Sequence, residues 1–203
     1  MKIPKIFHHI WVGPNKIPQE FLEYQQGWKK FHPGWKDMIW NDSNIPPLIN
    51  QELFDNAQTY SEKADILRYE LIYAYGGIYV DYDYECLKNL EPLLKELTLV
   101  LCKEADYLQP GIPQFFNNSL IGCTPEHPLV KKIIDNLPDR YEAYNNLPLE
   151  EKARTYTNWR SGPFYLTDVL NDEYVLAHPK GTFNGEFAHH HFAQSWYKEE
   201  GNE

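Results

Sequence analysis

Between residues 61 and 85 the apolar positions change their period. Ala64, Leu67, Leu71 and Tyr75 recur at helical spacing and predict one buried stripe, with Ser61 as the N-cap. Gly76 and Gly77 interrupt the pattern. Glycine accepts the left-handed conformation that ends a helix, and a second glycine lets the chain reverse. Ile78, Val80 and Tyr82 then alternate with Tyr79, Asp81 and Asp83, the period of a strand. Asp65 and Arg68, three apart, share a helix face. Asp81 and Asp83 share one side of the strand, about 7 Å apart along the chain.

The flanking pattern completes an α/β domain. Residues 5–12 read as a strand, 18–31 as an amphipathic helix opened by Pro18, and 35–41 as a second strand. A short helix is expected over 46–56 and a helical turn over 92–96. Strands follow over 98–103 and 114–123, separated by a Pro/Gly loop at 106–113. Helices are expected over 129–137, in the charged stretch 139–154, and from the Arg160-Ser161-Gly162-Pro163 turn to Leu170; a late strand is expected over 173–178. This order predicts a single Rossmann-like domain over 1–203, with a mixed central sheet flanked by helices. No Gly-X-Gly-X-X-Gly follows the first strand, which argues against a dinucleotide site.

Charge narrows the partners. The 203 residues hold 19 basic and 29 acidic side chains, a net charge of −10. That argues against nucleic acid and against an anionic membrane surface, leaving at most peripheral membrane contact. Three cysteines in no metal-ligand spacing, no apolar run of membrane-spanning length and no signal-peptide core lead to an expected cytoplasmic location. Fifteen tyrosines and six tryptophans supply core, and also faces on which sugars and bases stack.

Two carboxylates on one side of a strand end repel each other unless a cation lies between them. An all-oxygen site suits Mg²⁺ or Mn²⁺. Asp81-Tyr82-Asp83 alone is equally a solvated strand end. Its context is more specific. Ala64-Asp65-Ile66-Leu67-Arg68-Tyr69, followed by Tyr75-Gly76-Gly77-Ile78-Tyr79-Val80-Asp81-Tyr82-Asp83, resembles the signature of sugar-nucleotide glycosyltransferases with a DXD motif. More narrowly it resembles glycosyltransferase family 32. The opening Ile3-Pro4-Lys5-Ile6-Phe7-His8-His9-Ile10-Trp11 is similar to that family's first strand. Glu126 stands where the family usually has glycine, and Ser161 where it often has threonine.

The resemblance implies a GT-A fold and transfer of a hexose from a UDP- or GDP-linked donor to a glycan or glycolipid acceptor, with retention. It implies Mn²⁺ or Mg²⁺ bound directly by Asp83, with Asp81 at the ribose or the metal. Asp65 would contact the donor sugar, and Arg68 the sugar or phosphate; an ordinary intrahelical ion pair is the other reading of the two. Trp11 would lie against the base, or else belong to the core. Asn118 would face the donor sugar or the acceptor, or else satisfy backbone groups; Gly162 would allow close backbone approach to the sugar, or else be a loop glycine before a helix. Of His189, His190 and His191, His191 is the expected metal ligand, against the reading that all three are solvated. Ser195 and Trp196 would meet the diphosphate, as part of a segment 186–203 closing over the donor. Two other classes fit the same features: a metal-dependent nucleotide-sugar hydrolase, and a non-catalytic carbohydrate-binding module.

Overall fold

A computed structural model describes residues 2–104, 115–152, 157–171, 173 and 175–193. Its centre is a five-stranded mixed sheet of β1 (Ile6–Ile10), β2 (Lys36–Trp40), β3 (Gly77–Val80), β5 (Leu99–Lys103) and β6 (Phe116–Cys123), in the order β2-β1-β3-β6-β5. β1 runs parallel to β2 and β3, whereas β6 is antiparallel to β3 and to β5. A separate antiparallel pair joins β4 (Tyr84–Cys86) to β7 (Ala188–His190). Period-two alternation divides the core between the sheet's faces. Tyr79 and Ile121 join Leu67, Leu71, Ile133 and Leu166 on one side, beneath α3 (Tyr60–Tyr75), α4 (Pro128–Asn145) and α7 (Pro163–Leu170). Ile78, Val80 and Leu120 join Phe7 and Trp28 on the other, where α1 (Gln19–Phe31) packs. Among the described residues no helix is long and apolar enough to cross a membrane.

Four local expectations change. The N-cap of α3 is Thr59, whose hydroxyl accepts from the Glu62 amide at 3.2 Å; Ser61 is already inside the helix. The Glu62 carboxylate reaches back to the Gln58 amide at 2.8 Å, so the start is fixed by a reciprocal pair of the capping-box type. Every residue of α3 from Asp65 to Ile72 is buried, while Tyr75 is 38% exposed. The helix lies between the sheet and α4, so a single stripe understates its contacts. The helix expected over 46–56 shortens to α2 (Gln51–Asn56), because Glu70 captures the Ile49 and Asn50 amides at 3.0 and 2.8 Å. Of the strand expected over 173–178, the described residues keep one bridge, His178 to Cys102. Pro179 follows and has no amide to extend the pairing.

The helix-to-strand junction is held from both sides. Gly76 has φ 62 and ψ −169, and Gly77 has φ 97. A Cβ on Gly77 would lie 2.7 Å from the Ile6 carbonyl oxygen. The Gly76 carbonyl accepts from His8 Nε2 at 2.8 Å, and His8 Nδ1 accepts from Trp40 Nε1 at 3.0 Å. That pair of contacts fixes the neutral tautomer, and burial pulls the imidazole down to about 4. An unfolded histidine takes its proton near pH 6.5, so folding is opposed increasingly as pH falls from 6.5 toward 4. His8→Gln keeps a donor and an acceptor but has no proton to bind. Urea unfolding is expected to show a slope shallower in this variant by about 0.7 kcal/mol per pH unit near pH 6.5, rising to about 1.2 near pH 5. Equal slopes would mean that His8 is charged in the fold.

Candidate active site

β1, β3 and β6 end beside the N-terminal half of α3 around a cleft of about 400 Å³. Trp11, Arg68, Asp81, Asp83, Asn118 and His190 all line it. β3 stops at Val80, so Asp81, Tyr82 and Asp83 occupy a turn rather than the expected strand. The Asp81 amide still donates to the Ser119 carbonyl at 2.9 Å, and the Tyr84 amide donates back to Asp81 at 3.3 Å. The turn draws the two carboxylates together with one histidine. Ligand atoms of Asp81, Asp83 and His190 all lie within 4.8 Å of one another.

That histidine is His190, in place of the expected His191. The β4–β7 register pairs Tyr84 with His190, and the two rings stack at 4.3 Å. His190 Nε2 is 3.3 Å from Asp83 Oδ1, while its buried Nδ1 has no hydrogen-bond partner among the described residues. His191 lies 3.3 Å from Glu85 and stacks on Tyr24 at 4.4 Å. Strand alternation separates the two: Ala188 and His190 are buried, and His189 between them is exposed. That alternation was the available signal, but only the β4–β7 register says which phase points inward.

The carboxylates differ in their settings. Burial raises the Asp81 carboxyl, and Asp83 adds to the rise while Arg68 opposes it. Burial also acts to raise Asp83, but His190 and the Ala193 amide, which donates to Oδ2 at 2.9 Å, hold it below its ordinary value. The carboxylates of Asp81 and Asp83, with the His190 imidazole whose Nε2 faces Asp83, form a donor set that fits Mn²⁺ or Mg²⁺.

Asp65 and Arg68 form a buried pair at 3.0 Å. Arg68 also donates to the Asn118 carbonyl at 2.7 Å, lies over the Tyr79 ring at 4.4 Å and approaches Asp81 at 3.5 Å. It is therefore the fixed cation behind the Asp81–Asp83 turn. Asp65 does not line the cleft and is 5% exposed. Its oxygens accept from Asn118 Nδ2 at 2.8 Å and from Ser161 Oγ at 2.9 Å. The carboxylate expected to contact a donor sugar thus lies behind the cleft wall, with Arg68, Asn118 and Ser161 on it. Burial raises Asp65 to about 6, although Arg68 pulls it down.

Asn118 does reach the cleft. Trp11 also lines it, in edge-to-face contact with Phe21 and Tyr82, its Nε1 donating to Asn15 O at 2.7 Å. Gly162 does not line the cleft. A Cβ there would meet Asn158 Cα at 2.8 Å, so its bareness serves the junction of α6 (Thr157–Arg160) with α7. Ser195 and Trp196 lie outside the described residues, as does the loop 106–113. Sequence reasoning missed Ser161 as a support for Asp65 and Phe164 and Phe192 on the cleft wall, because helical or strand period marks burial and not cleft exposure.

Residues 18–100 match the family described as glycosyltransferase sugar-binding region containing DXD motif. An uncharacterized glycosyltransferase of Acanthamoeba polyphaga mimivirus is 32% identical, over 90% of this chain and 75% of its own length. Inositol phosphoceramide mannosyltransferase 1 of Schizosaccharomyces pombe is 30% identical over 67% of this chain, which spans only 43% of that protein. Among solved structures, the PaToxG glycosyltransferase superposes with a TM-score of 0.65 at 19% identity, covering 85% of this chain and 70% of its own. The UDP-bound glycosyltransferase domain of the YGT toxin gives 0.59 at 8%, covering 88% and 79%. The fold is that of the GT-A glycosyltransferases, and the chain belongs to glycosyltransferase family 32.

Proposed function

We propose that this chain transfers a hexose from a nucleoside-diphosphate sugar, UDP- or GDP-linked, to a glycan or glycolipid acceptor, with retention and with dependence on Mn²⁺ or Mg²⁺. The observation that carries the reading is the gathering of Asp81, Asp83 and His190 beside Arg68, in a cleft that Trp11 also lines. The relatives named as mannosyltransferases make mannose the first sugar to test.

Asp81, Asp83 and His190 would hold the cation, which when bound supplies Lewis-acid stabilisation of charge on the diphosphate. Trp11 offers an aromatic face to the base. Arg68, fixed by Asp65, the Asn118 carbonyl and the Tyr79 ring, directs a permanent positive charge at the diphosphate side of the cleft. Asn118 meets the sugar. Its amide is oriented by Asp65 and by Tyr69 Oη at 3.3 Å, so it is held before substrate arrives. The bond from the anomeric carbon to the phosphate oxygen breaks with its electron pair leaving on the diphosphate. An acceptor oxygen bonds to the same face of that carbon, and its proton passes to the departing phosphate oxygen. Of the segment 186–203 expected to close over the donor, residues 194–203 lie outside the described residues.

The test is Mn²⁺ binding in the presence of nucleoside diphosphate, read by electron paramagnetic resonance. His190→Ala is expected to weaken it about tenfold or more, and His191→Ala to leave it within about twofold. The reverse order would return the assignment to His191. No Mn²⁺ binding by the native protein would remove the metal-dependent reading, and turnover without any acceptor would favour a hydrolase.

A further inference from the structure

The cleft has a second end that the donor reading leaves without a role. Its wall is aromatic and carries no excess of positive charge. Phe164 at the start of α7 is 50% exposed, and Phe192 beyond β7 is 43% exposed. Large apolar side chains left open at the rim of a concave site mark a binding surface. Phe115 packs edge-on against Phe164 at 4.8 Å, and Phe192 lies 4.0 Å from the His190 ring. This aromatic wall is therefore continuous with the Asp81–Asp83–His190 group. Glu104 also lines the cleft and accepts from Asn117 Nδ2. Lys180 lies 3.6 Å from Glu104 and 5.5 Å from the Phe192 ring centre, so its charge is offset by the carboxylate.

We infer that this end is the acceptor subsite and that it takes an uncharged sugar, stacked through its C–H face on Phe164 and Phe192 and hydrogen-bonded through a hydroxyl to Glu104. The inference rests on the donor reading above. Among the described residues that line the cleft, Arg68 is the one cation, and it is held on Asp65, Asp81 and the Asn118 carbonyl. In that reading the bound cation is taken by Asp81, Asp83 and the donor diphosphate, Arg68 by Asp65 and Asp81, and Lys180 by Glu104, so a phosphate on the acceptor would bring further negative charge with no uncommitted cation among the described residues to meet it. A neutral hydroxyl makes no such demand, and an ionised carboxylate is a strong acceptor for it. The weakly polarised C–H face of a pyranose suits the negative face of a phenyl ring. This separates the chain from the relative whose printed name gives inositol phosphoceramide, an acceptor that carries a phosphate.

The experiment gives the full chain Mn²⁺ and a panel of GDP-mannose and UDP-hexoses, and follows donor loss and sugar transfer separately. Acceptors are alkyl and aryl glycosides and their 6-phosphorylated counterparts. The expected result is a kcat/KM for the uncharged glycosides at least about tenfold above that for their phosphorylated forms. Phe164→Ala and, independently, Phe192→Ala are expected to raise the acceptor KM about tenfold while the donor KM stays where it was. Both side chains are half exposed, so unchanged melting temperatures are expected and verify the fold. Preference for the phosphorylated acceptors overturns the inference, as does donor hydrolysis without transfer to any uncharged glycoside. A rise in donor KM rather than acceptor KM assigns the wall to the donor and also overturns it. If no donor is consumed by the native chain, the donor reading fails first, and this one with it.

Discussion

Asp83→Ala is expected to lower sugar transfer about a thousandfold and to leave a folded protein. The first half of that expectation comes from charge. Lewis-acid stabilisation of a leaving diphosphate is worth several kcal/mol, and about 4 kcal/mol is three powers of ten in rate. Asp83 is the carboxylate held below its ordinary value, whereas Asp81 is raised. Asp83 is therefore the member of the pair most firmly ionised before a cation arrives, and its loss removes the most charge. The second half comes from position. Asp83 sits in a turn after β3, and its side chain accepts from His190 and the Ala193 amide. No apolar core is opened by shortening it. Asp83→Asn separates the two contributions. It keeps an oxygen for the Ala193 amide and loses only the charge, so transfer is expected to fall nearly as far as in the alanine variant. Initial rates at saturating Mn²⁺, with melting curves alongside, read both. Transfer within about tenfold of native in either variant would show that the metal-dependent step lies elsewhere.

The fold was legible in the sequence where local period and packing agree. Ile78, Val80 and Tyr79 alternate between the two cores as their spacing implies, because β3 has a neighbour on each edge and a helical layer on each face. The Gly76-Gly77 break was legible for the same reason: no other residue fits beside Ile6 O and Pro125. The site was legible only to its first layer of names. Asp81, Asp83, Arg68, Asn118 and Trp11 do meet in one cleft. What the sequence did not carry was direction. Asp65 and Arg68 share a helix face, yet the face is buried, so one side chain reaches the cleft and the other stays behind it. His190 and His191 are adjacent and chemically alike, and only pairing with β4 decides between them. Both failures concern contacts between residues far apart in the chain, which no local period records.

Asp65 should then behave as a support whose removal damages the fold more than the chemistry requires. In Asp65→Ala the Arg68 guanidinium keeps a carboxylate only in Asp81, at 3.5 Å, while Asn118 Nδ2 and Ser161 Oγ each lose an acceptor. Breaking a buried pair in this way costs about 3–5 kcal/mol, and for a domain of this size that is roughly 10 °C in melting temperature. Asp65→Asn is expected to be far milder. Its carbonyl can still accept from Arg68 and Asn118, and its amide can face Ser161, whose hydroxyl is able to turn and accept. The charge is lost, however, and Arg68 is left free to close on Asp81. Turnover is expected to fall about ten- to hundredfold with the donor KM little changed, because the group displaced is one removed from the substrate. If Asp65 instead grips the sugar hydroxyls directly, the asparagine variant must show its main effect in donor KM. Kinetics of Asp65→Asn with the donor varied, beside the unfolding curve of Asp65→Ala, distinguish a residue that holds the holder from one that holds the sugar.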